Sequence, residues 1–258
     1  MTMDFSDSEI VRYSRHILLR EIGGTGQAKL RGASVLIIGA GGLGSPAALY
    51  LAAAGVGRIG IADHDVLELS NLQRQIAHRM AGIGTSKAAS AAAAMRAINP
   101  DITIVPIAVQ VDANTIDELV ASYDIVLDGT DNFATRFIVA DACVQGRKTL
   151  ISAAVLRFEG QIATFKPHQD VSLPCYRCLY PEAPAAGMVP TCAEAGVLGP
   201  VTGVMGALQA TEAMKEILGI GISLAGRLLL WDALDMRFRM ITVPRDPGCF
   251  GCSTQHAA

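Results

Sequence analysis

The stretch that decides the fold is "ASVLIIGAGGLGSPAALYLAAA", residues 33–54. Its apolar first part predicts a buried strand over 34–38, and its alanine-rich last part predicts a helix over 43–54. Between them, "GAGGLG" at 39–44 has the G-x-G-x-x-G spacing, in which glycines permit a tight turn from a strand into a helix whose N-terminus faces phosphate. Taken alone, this turn favours a nicotinamide or flavin cofactor over a triphosphate.

Strands and helices alternate onward from this turn, and the alternation predicts an open parallel sheet with helices on both faces. After Lys148 the pattern changes to two strands over 149–165, a helix and a closing hairpin. We therefore expect an α/β fold: a Rossmann-like, mostly parallel, doubly wound sheet with an added antiparallel C-terminal part. The expected divisions are an N-terminal helical arm (1–32), a Rossmann-like core (33–148) and a C-terminal extension of the same domain (149–258).

The N-terminal arm has two predicted parts. Ser6 or Asp7 can cap a helix that runs to about Arg20. The glycine-rich segment "GGTGQAKLRG" at 23–32 is typical of a hinge-like loop before the first strand.

Composition excludes several classes of protein. A net charge of -3 gives no indication of a nucleic-acid partner. Residues 33–57 carry no charge, but the glycines at 39–44 would break a membrane-spanning helix. The N-terminus mixes both charges and lacks the apolar run of a signal peptide. We expect a cytoplasmic protein with no membrane partner.

Two pairs of cysteines have metal-ligand spacing. Cys175 and Cys178 form one C-x-x-C pair, and Cys249 and Cys252 form another. Four thiolates suit a closed tetrahedral Zn²⁺ site with a structural role, and in a reducing compartment such a site is favoured over disulfides. Cys192 stands just before a predicted helix, where a thiolate is activated; it is either a nucleophile or an exposed loop cysteine.

Charged residues near the glycine turn favour a triphosphate. Asp63 follows the next strand, where a carboxylate can bind a ribose hydroxyl. Arg74 and Lys87 are two cations within reach of the turn, unless they are solvated surface charges. Asp131, in "DGTDN" at 128–132, can bind Mg²⁺, although Asp131 or Asn132 can equally cap the following helix.

Nine segments together resemble one family over nearly the whole chain. They are "RYSR", "GAGGLGSPAALYLAAAGVG", "LSNLQRQ", "GTSK", "DGTDN", "EGQI", "CYRC", "TCAEAGVLGP" and "PGCFGC". The chain resembles the MoeB/ThiF adenylyltransferases, bacterial relatives of ubiquitin-activating enzymes. The resemblance implies that the glycine turn holds ATP, and that AMP is attached to the C-terminal glycine carboxylate of a ubiquitin-like sulfur-carrier protein.

The resemblance also implies roles for individual residues. Arg15 would be supplied by the other subunit of a homodimer, and Asp131 would hold Mg²⁺. The residues expected around the nucleotide are Gly39, Gly41, Gly42, Gly44, Asp63, Ser70, Asn71, Arg74, Lys87 and Asn132. Arg15, Arg74, Lys87, Asp131 and tentatively Cys192 are the expected catalytic set.

The partner implied by the resemblance is one of two carriers. "LRFEGQI" is closer to the molybdopterin branch of the family, whose carrier is MoaD-like, and this branch is favoured. "RYSR" and "GPVTGVMGALQA" are closer to the thiazole branch, whose carrier is ThiS-like. The chain ends soon after Cys252, so sulfur is expected from a separate donor protein. An NAD-dependent oxidoreductase and a non-catalytic, zinc-stabilised binding module are the alternatives from other classes.

Overall fold

The computed structural model describes residues 4–185, 188 and 192–253, with the backbone alone at 192 and 193. The strands in this part of the chain are β1 Ser34–Ile38, β2 Arg58–Ala62, β3 Thr103–Ile107, β4 Ile125–Asp128, β5 Thr149–Leu156, β6 Glu159–Phe165, β7 Arg227–Asp232 and β8 Arg237–Thr242. These described strands form one eight-stranded sheet in the order β3-β2-β1-β4-β5-β6-β7-β8.

The sheet has a parallel half and an antiparallel half. β3, β2, β1, β4 and β5 are parallel, whereas β5, β6, β7 and β8 pair antiparallel. The chain runs outward from β1 to β3 and then crosses back to β4, which pairs with the other side of β1. Ligands of open α/β sheets bind at such a reversal, beyond the carboxyl ends of the strands. The expected α/β fold with an antiparallel addition is confirmed.

The helices cover both faces of the sheet. Those in the described residues are α1 Asp7–Ile17, α2 Gly23–Gly32, α3 Gly44–Ala54, α4 Lys87–Ile98, α5 Ile116–Ala121, α6 Phe133–Gln145, α7 Tyr176–Leu179, α8 Cys192–Ala195 and α9 Gly199–Leu218. None of these helices combines the length and apolar character needed to cross a membrane.

Two apolar cores form because β1, β2 and β4 are buried on both faces. Leu51 of α3, Met95 of α4 and Met205 of α9 belong to the core on one face. Val120 of α5 and Phe137 of α6 belong to the core on the other. Runs of apolar residues without alternation are typical of such doubly covered parallel strands.

The N-terminal arm differs from its prediction in one element. Ser6 caps α1 with a capping box, as expected, although this helix ends at Ile17. The segment at 23–32 is not a hinge-like loop but the helix α2, with Leu30 fully buried. Gly26 packs so closely that a Cβ there would lie 2.9 Å from a methyl carbon of Ile22. Tertiary packing overrides the low helix propensity of glycine, which costs about 1 kcal/mol per residue.

Candidate functional site

Two turns meet at the point where the strand order reverses. The glycine turn follows β1 and the turn "DGTDN" follows β4, and Gly129 donates its N–H to Ile38 O at 2.9 Å. Gly39 has φ +95°, and a Cβ on it would lie 3.0 Å from Gly129 O. A Cβ on Gly44 would lie 1.8 Å from Gly39 O. These two glycines are therefore required for the turn to close.

Asp63 holds the glycine turn from the end of β2. Its Oδ2 accepts the N–H of Ala40 at 2.8 Å, and its Oδ1 accepts the N–H of Asp65 at 2.9 Å. Each carboxylate oxygen has a second lone pair. The geometry therefore fixes the turn and still leaves Asp63, which lines the site, able to accept a further hydroxyl.

The two expected cations lie beside the glycine turn. The side chain of Lys87 is only 9% exposed, and its Nζ donates to Asp65 Oδ2 at 2.7 Å. The hydrogen bond from Lys87 is the main cause that lowers the pKa of Asp65 below its usual value. Arg74 is half-buried and donates to Ser70 O at 3.2 Å. For Lys87, the alternative of a solvated surface charge is wrong.

Three polar residues of the acidic turn after β4 have different contacts. Asp128 is buried and accepts hydrogen bonds from Thr130 and Ser152, so it orients the turn. Asn132 caps α6, its side chain accepting the N–H of Thr135 at 2.9 Å. Because Asn132 supplies the cap, the exposed carboxylate of Asp131 remains open to the site.

A cleft of about 1010 Å³ opens above these turns. This is the upper end of the size range of ligand-binding pockets. One wall carries Gly41, Gly42, Asp63, Arg74, Lys87 and Asp131. The cleft continues over the antiparallel half of the sheet, where Gly160, Trp231, Arg237 and Arg239 line it. The fold therefore joins the glycine turn and the groove over the antiparallel strands in one cleft.

Several expected site residues do not line the cleft of this single chain. Asn71 is buried and its side chain accepts the N–H of Glu68, closing a short 3-10 turn, and Ser70 is exposed beside it. Arg15 is exposed on α1. The side chain of Cys192 lies outside the described residues, although its backbone begins α8. The contact of Asn71 and Ser70 with the nucleotide stays a prediction. So do the supply of Arg15 to the site of a partner subunit and the role of Cys192 as a nucleophile.

Arg136 and Gln75 are buried polar residues of the cleft that were not among the expected site residues. Arg136 is 8% exposed, lines the cleft and donates to Thr130 O. Gln75 is 4% exposed and also lines the cleft, and its Oε1 has no hydrogen-bond partner among the described residues. The position of Arg136, one helical turn after Asn132, was a sequence signal for its place at the site. For Gln75 the sequence contains no signal apart from its neighbour Arg74.

The four paired cysteines converge in the fold. Their Sγ atoms all lie within 4.8 Å of one another. Cys175 Sγ lies 3.6 Å from Cys249 Sγ and 3.9 Å from Cys178 Sγ, and Cys178 Sγ lies 3.7 Å from Cys252 Sγ. Zn–S bonds of about 2.3 Å in a tetrahedron place the sulfurs about 3.8 Å apart. The distances fit a closed zinc site, and the cysteines are free of disulfides.

Burial opposes ionisation of Cys175 and Cys178, whereas hydrogen bonds lower the pKa of Cys249 in spite of its burial. Burial raises the pKa of Cys178 to about 11, and it raises the pKa of Cys175 further. A bound metal ion reverses this effect because it stabilises the thiolate form. The donor chemistry therefore fits Zn²⁺ with all four positions filled by protein.

One arginine joins the cysteine cluster to α6. Arg177, between Cys175 and Cys178, pairs with Asp141 through two hydrogen bonds of 2.6 and 2.7 Å. Its guanidinium carbon lies 4.6 Å from the ring centre of Phe137 and 4.7 Å from that of Phe250. The C-terminal segment is therefore fastened to the helix that begins at the acidic turn.

Comparison with known proteins assigns the family. The model of the ThiF family matches residues 13–251. The "SAMP-activating enzyme E1" of Haloferax volcanii is 47% identical over 252 residues, which cover 98% of this chain and 92% of that protein. The "Sulfur carrier protein adenylyltransferase" of Thermus thermophilus is 44% identical over 256 residues, covering 98% and 94%.

Longer relatives and solved structures agree with this assignment. The bovine "Adenylyltransferase and sulfurtransferase MOCS3" is 50% identical over 248 residues; these cover 96% of this chain but 54% of that protein, so the chain spans about half of it. The structure of E. coli MccB with ATP has a TM-score of 0.82 at 23% identity, covering 94% of this chain and 75% of that one, and shows the shared fold. The chain therefore belongs to the ThiF family, and it is an adenylyltransferase.

Proposed function

We propose that the protein uses ATP to adenylate the C-terminal glycine carboxylate of a ubiquitin-like sulfur-carrier protein, with release of pyrophosphate. The observation that carries this proposal is the single cleft that joins the glycine turn to the groove over the antiparallel strands. The names of the Haloferax and Thermus relatives support it, because the first describes the activation of SAMP and the second describes an adenylyltransferase of a sulfur carrier protein.

ATP occupies the glycine-turn end of the cleft in this proposal. The N-terminus of α3 presents unpaired N–H groups and a positive dipole end to the phosphates. Lys87 and Arg74 supply two charges that a triphosphate needs. Asp63 accepts a ribose hydroxyl, Asn71 contacts the polyphosphate together with Arg74 and Lys87, and Ser70 and Asn132 lie beside the nucleotide.

Mg²⁺ is proposed to bind at Asp131. The donor chemistry fits, because Asp131 is an exposed carboxylate on the cleft, and protein-bound Mg²⁺ typically takes one or two carboxylates together with substrate phosphates. When bound, the ion neutralises phosphate charge. Zn²⁺ is proposed to fill the cluster of Cys175, Cys178, Cys249 and Cys252, where it has a structural role.

The reaction needs positioning more than proton transfer. A carboxylate oxygen of the carrier forms a bond to the α-phosphorus of ATP, and the bond from that phosphorus to the bridging oxygen breaks, so that pyrophosphate leaves with the electron pair. The carboxylate is already ionised, and no general base is required. Lys87, Arg74 and an Arg15 supplied by a second subunit stabilise the charge on the phosphates. Loss of one such contact slows adenylylation by roughly 100- to 1000-fold.

A MoaD-like carrier of molybdopterin synthesis is the favoured substrate, and a ThiS-like carrier of thiazole synthesis is the alternative. In both cases the adenylated carboxylate then receives sulfur from a donor protein. Cys192 is proposed as the residue that links covalently to the carrier.

The reaction is proposed to take place in the cytoplasm. The NAD-dependent oxidoreductase has no support beyond the glycine turn, and this turn lies within the residues that the ThiF family model matches.

The test is incubation of the protein with ATP, Mg²⁺ and either a MoaD-like or a ThiS-like carrier. We expect the preferred carrier to gain the mass of one AMP, and an equal amount of pyrophosphate to appear. The matched control is the same carrier lacking its last glycine, which should gain nothing. If neither intact carrier gains AMP while the protein is folded, the proposal is wrong.

A further inference from the structure

The backbone of Ala40, the second residue of the glycine turn, is held from two sides. Its N–H donates to Asp63 Oδ2 at 2.8 Å. Its carbonyl oxygen lies 2.9 Å from His78 Nε2, and a longer contact of 3.4 Å comes from the Ser45 hydroxyl. Ala40 is fully buried, so water does not replace these partners. The carbonyl therefore depends on His78 as its main donor.

The protonation state of His78 follows from its two neighbours. The Ala40 carbonyl can only accept, so Nε2 carries the proton. Nδ1 lies 3.0 Å from Ser90 Oγ on α4, and in the neutral ring it accepts the Ser90 hydroxyl. Burial, and secondarily the charge of Lys87, lowers the pKa of His78, while the Ala40 carbonyl and Asp63 act in the opposite direction. The ring is thus neutral near pH 7 and fixed in one tautomer.

We propose that His78 is a positioning residue for the nucleotide, an inference that rests on the proposed function. By holding the Ala40 carbonyl, His78 sets the direction of the peptide units that follow it in the turn, which lead into Gly41 and Gly42. Both glycines line the cleft. Their N–H groups are the ones available to the phosphates of ATP.

The contact matters for rate because it restrains the peptide unit between Ala40 and Gly41 from its carbonyl side, whereas Asp63 restrains Ala40 from its N–H side. Gly41 and Gly42 have no side chains, and their backbone is intrinsically free. A displacement of about 1 Å in a positioning group can cost about 100-fold in rate. Ser90 acts indirectly. Its hydroxyl binds the His78 ring, and the His78 ring in turn binds the carbonyl of the glycine turn.

The experiment compares His78→Leu with His78→Gln. Leucine removes the donor to Ala40, whereas the glutamine amide nitrogen can reach the position of Nε2 and keep it. For His78→Leu we expect the KM for ATP in carrier-dependent adenylylation to rise about tenfold and kcat to fall about tenfold, with the KM for the carrier unchanged. His78→Gln should recover most of both losses, and Ser90→Ala should fall between the two.

A second variant separates positioning from simple destabilisation. Met95→Ala opens a cavity in the same helix as Ser90 but lies away from the cleft. At equal loss of melting temperature, Met95→Ala should keep the KM for ATP within twofold of wild type. Calorimetric titration with ATP alone provides a readout that does not require the carrier, and there His78→Leu should weaken the Kd about tenfold.

Three results would overturn the inference. They are an unchanged Kd and KM for ATP in His78→Leu, an equal loss in His78→Gln, or the same rise in KM in Met95→Ala. If His78→Leu does not fold, the inference is tested by comparing the KM and Kd for ATP of His78→Gln and Ser90→Ala with those of wild type. A wild-type KM and Kd for ATP in Ser90→Ala would then contradict the inference. A wild-type protein that binds ATP but adenylates no carrier would refute the proposed function instead, and the Kd series would still test His78.

Discussion

Lys87 Nζ lies 2.7 Å from Asp65 Oδ2, although little of the Lys87 side chain reaches solvent. The pair places a positive charge beside the glycine turn and keeps it there before any phosphate arrives. The Asp65 side chain is half exposed, so solvent reaches the ion pair mainly from the Asp65 side. Asp65 therefore fixes the position of the Lys87 ammonium group at the cleft.

Asp65→Asn should destabilise the fold because it leaves the Lys87 ammonium without its charged partner. We expect a loss of about 1–2 kcal/mol at pH 7, less than for a fully buried pair because Asp65 is half exposed. Since Lys87 lowers the pKa of Asp65 in the folded state, the stabilisation is complete above the ordinary pKa of a carboxyl and is lost as pH falls through the folded value. Urea unfolding between about pH 7 and 3 measures it.

The control for this pair is Asp235→Asn, because the ion pair of Asp235 with Arg237 is largely exposed at 4.0 Å. It should change stability by less than about 0.5 kcal/mol. An Asp65→Asn protein as stable as wild type at every pH would show that the pair contributes nothing.

Asp131→Ala should remove adenylylation without unfolding the protein. Asn132, not Asp131, caps α6, so the helix keeps its first turn. We expect carrier-dependent exchange of labelled pyrophosphate into ATP to fall at least about 100-fold, with an unchanged melting temperature. Asp117→Ala, which removes an exposed carboxylate of α5 away from the cleft, is the control. Exchange at the wild-type rate in Asp131→Ala would refute the Mg²⁺ role.

Loss of zinc should loosen the C-terminal segment from α6. Cys249→Ser, or treatment with a chelator, should release one Zn²⁺ per chain as measured by elemental analysis. A loss of roughly 3 kcal/mol would lower the melting temperature by roughly 6–12 °C in a chain of this size. Cys143→Ala, a core thiol outside the cluster, should retain the metal. A Cys249→Ser protein with full zinc content and an unchanged melt contradicts the structural site.

Arg15 should act in the cleft of the other subunit. Arg15→Ala and Lys87→Ala should each be inactive alone, whereas a mixture allowed to exchange subunits should recover about a quarter of wild-type activity, because half of the dimers are mixed and each of these has one intact site. Arg12→Ala on the same helix is the control, since Arg12 pairs with Asp101 of its own chain. A mixture that stays inactive, or a monomeric active protein, would exclude the composite site.

Local sequence was sufficient for the elements whose geometry depends on neighbours in the chain. The glycine spacing at 39–44 predicted the turn, because only glycine accepts φ +95° and the 1.8 Å approach at Gly39 and Gly44. The two C-x-x-C pairs predicted the cysteine cluster, since each pair already has the right spacing within one turn. The alternation of strands and helices predicted the parallel half of the sheet, because this alternation is also set by residues that are neighbours in the chain.

Distant contacts determined what the sequence pattern did not show. Segment 23–32 has the composition of a loop, yet it is a helix because Leu30 and Ala28 are buried in the tertiary structure. The burial of Lys87 and Arg136, and the hold of His78 on Ala40 across 38 residues, depend on elements that meet only when the sheet closes. The sequence by itself determined the glycine turn, the paired cysteines and the family. Only the tertiary structure decided which charges are buried and that the turn opens into a groove over the antiparallel strands, because burial and clefts arise between segments far apart in the chain.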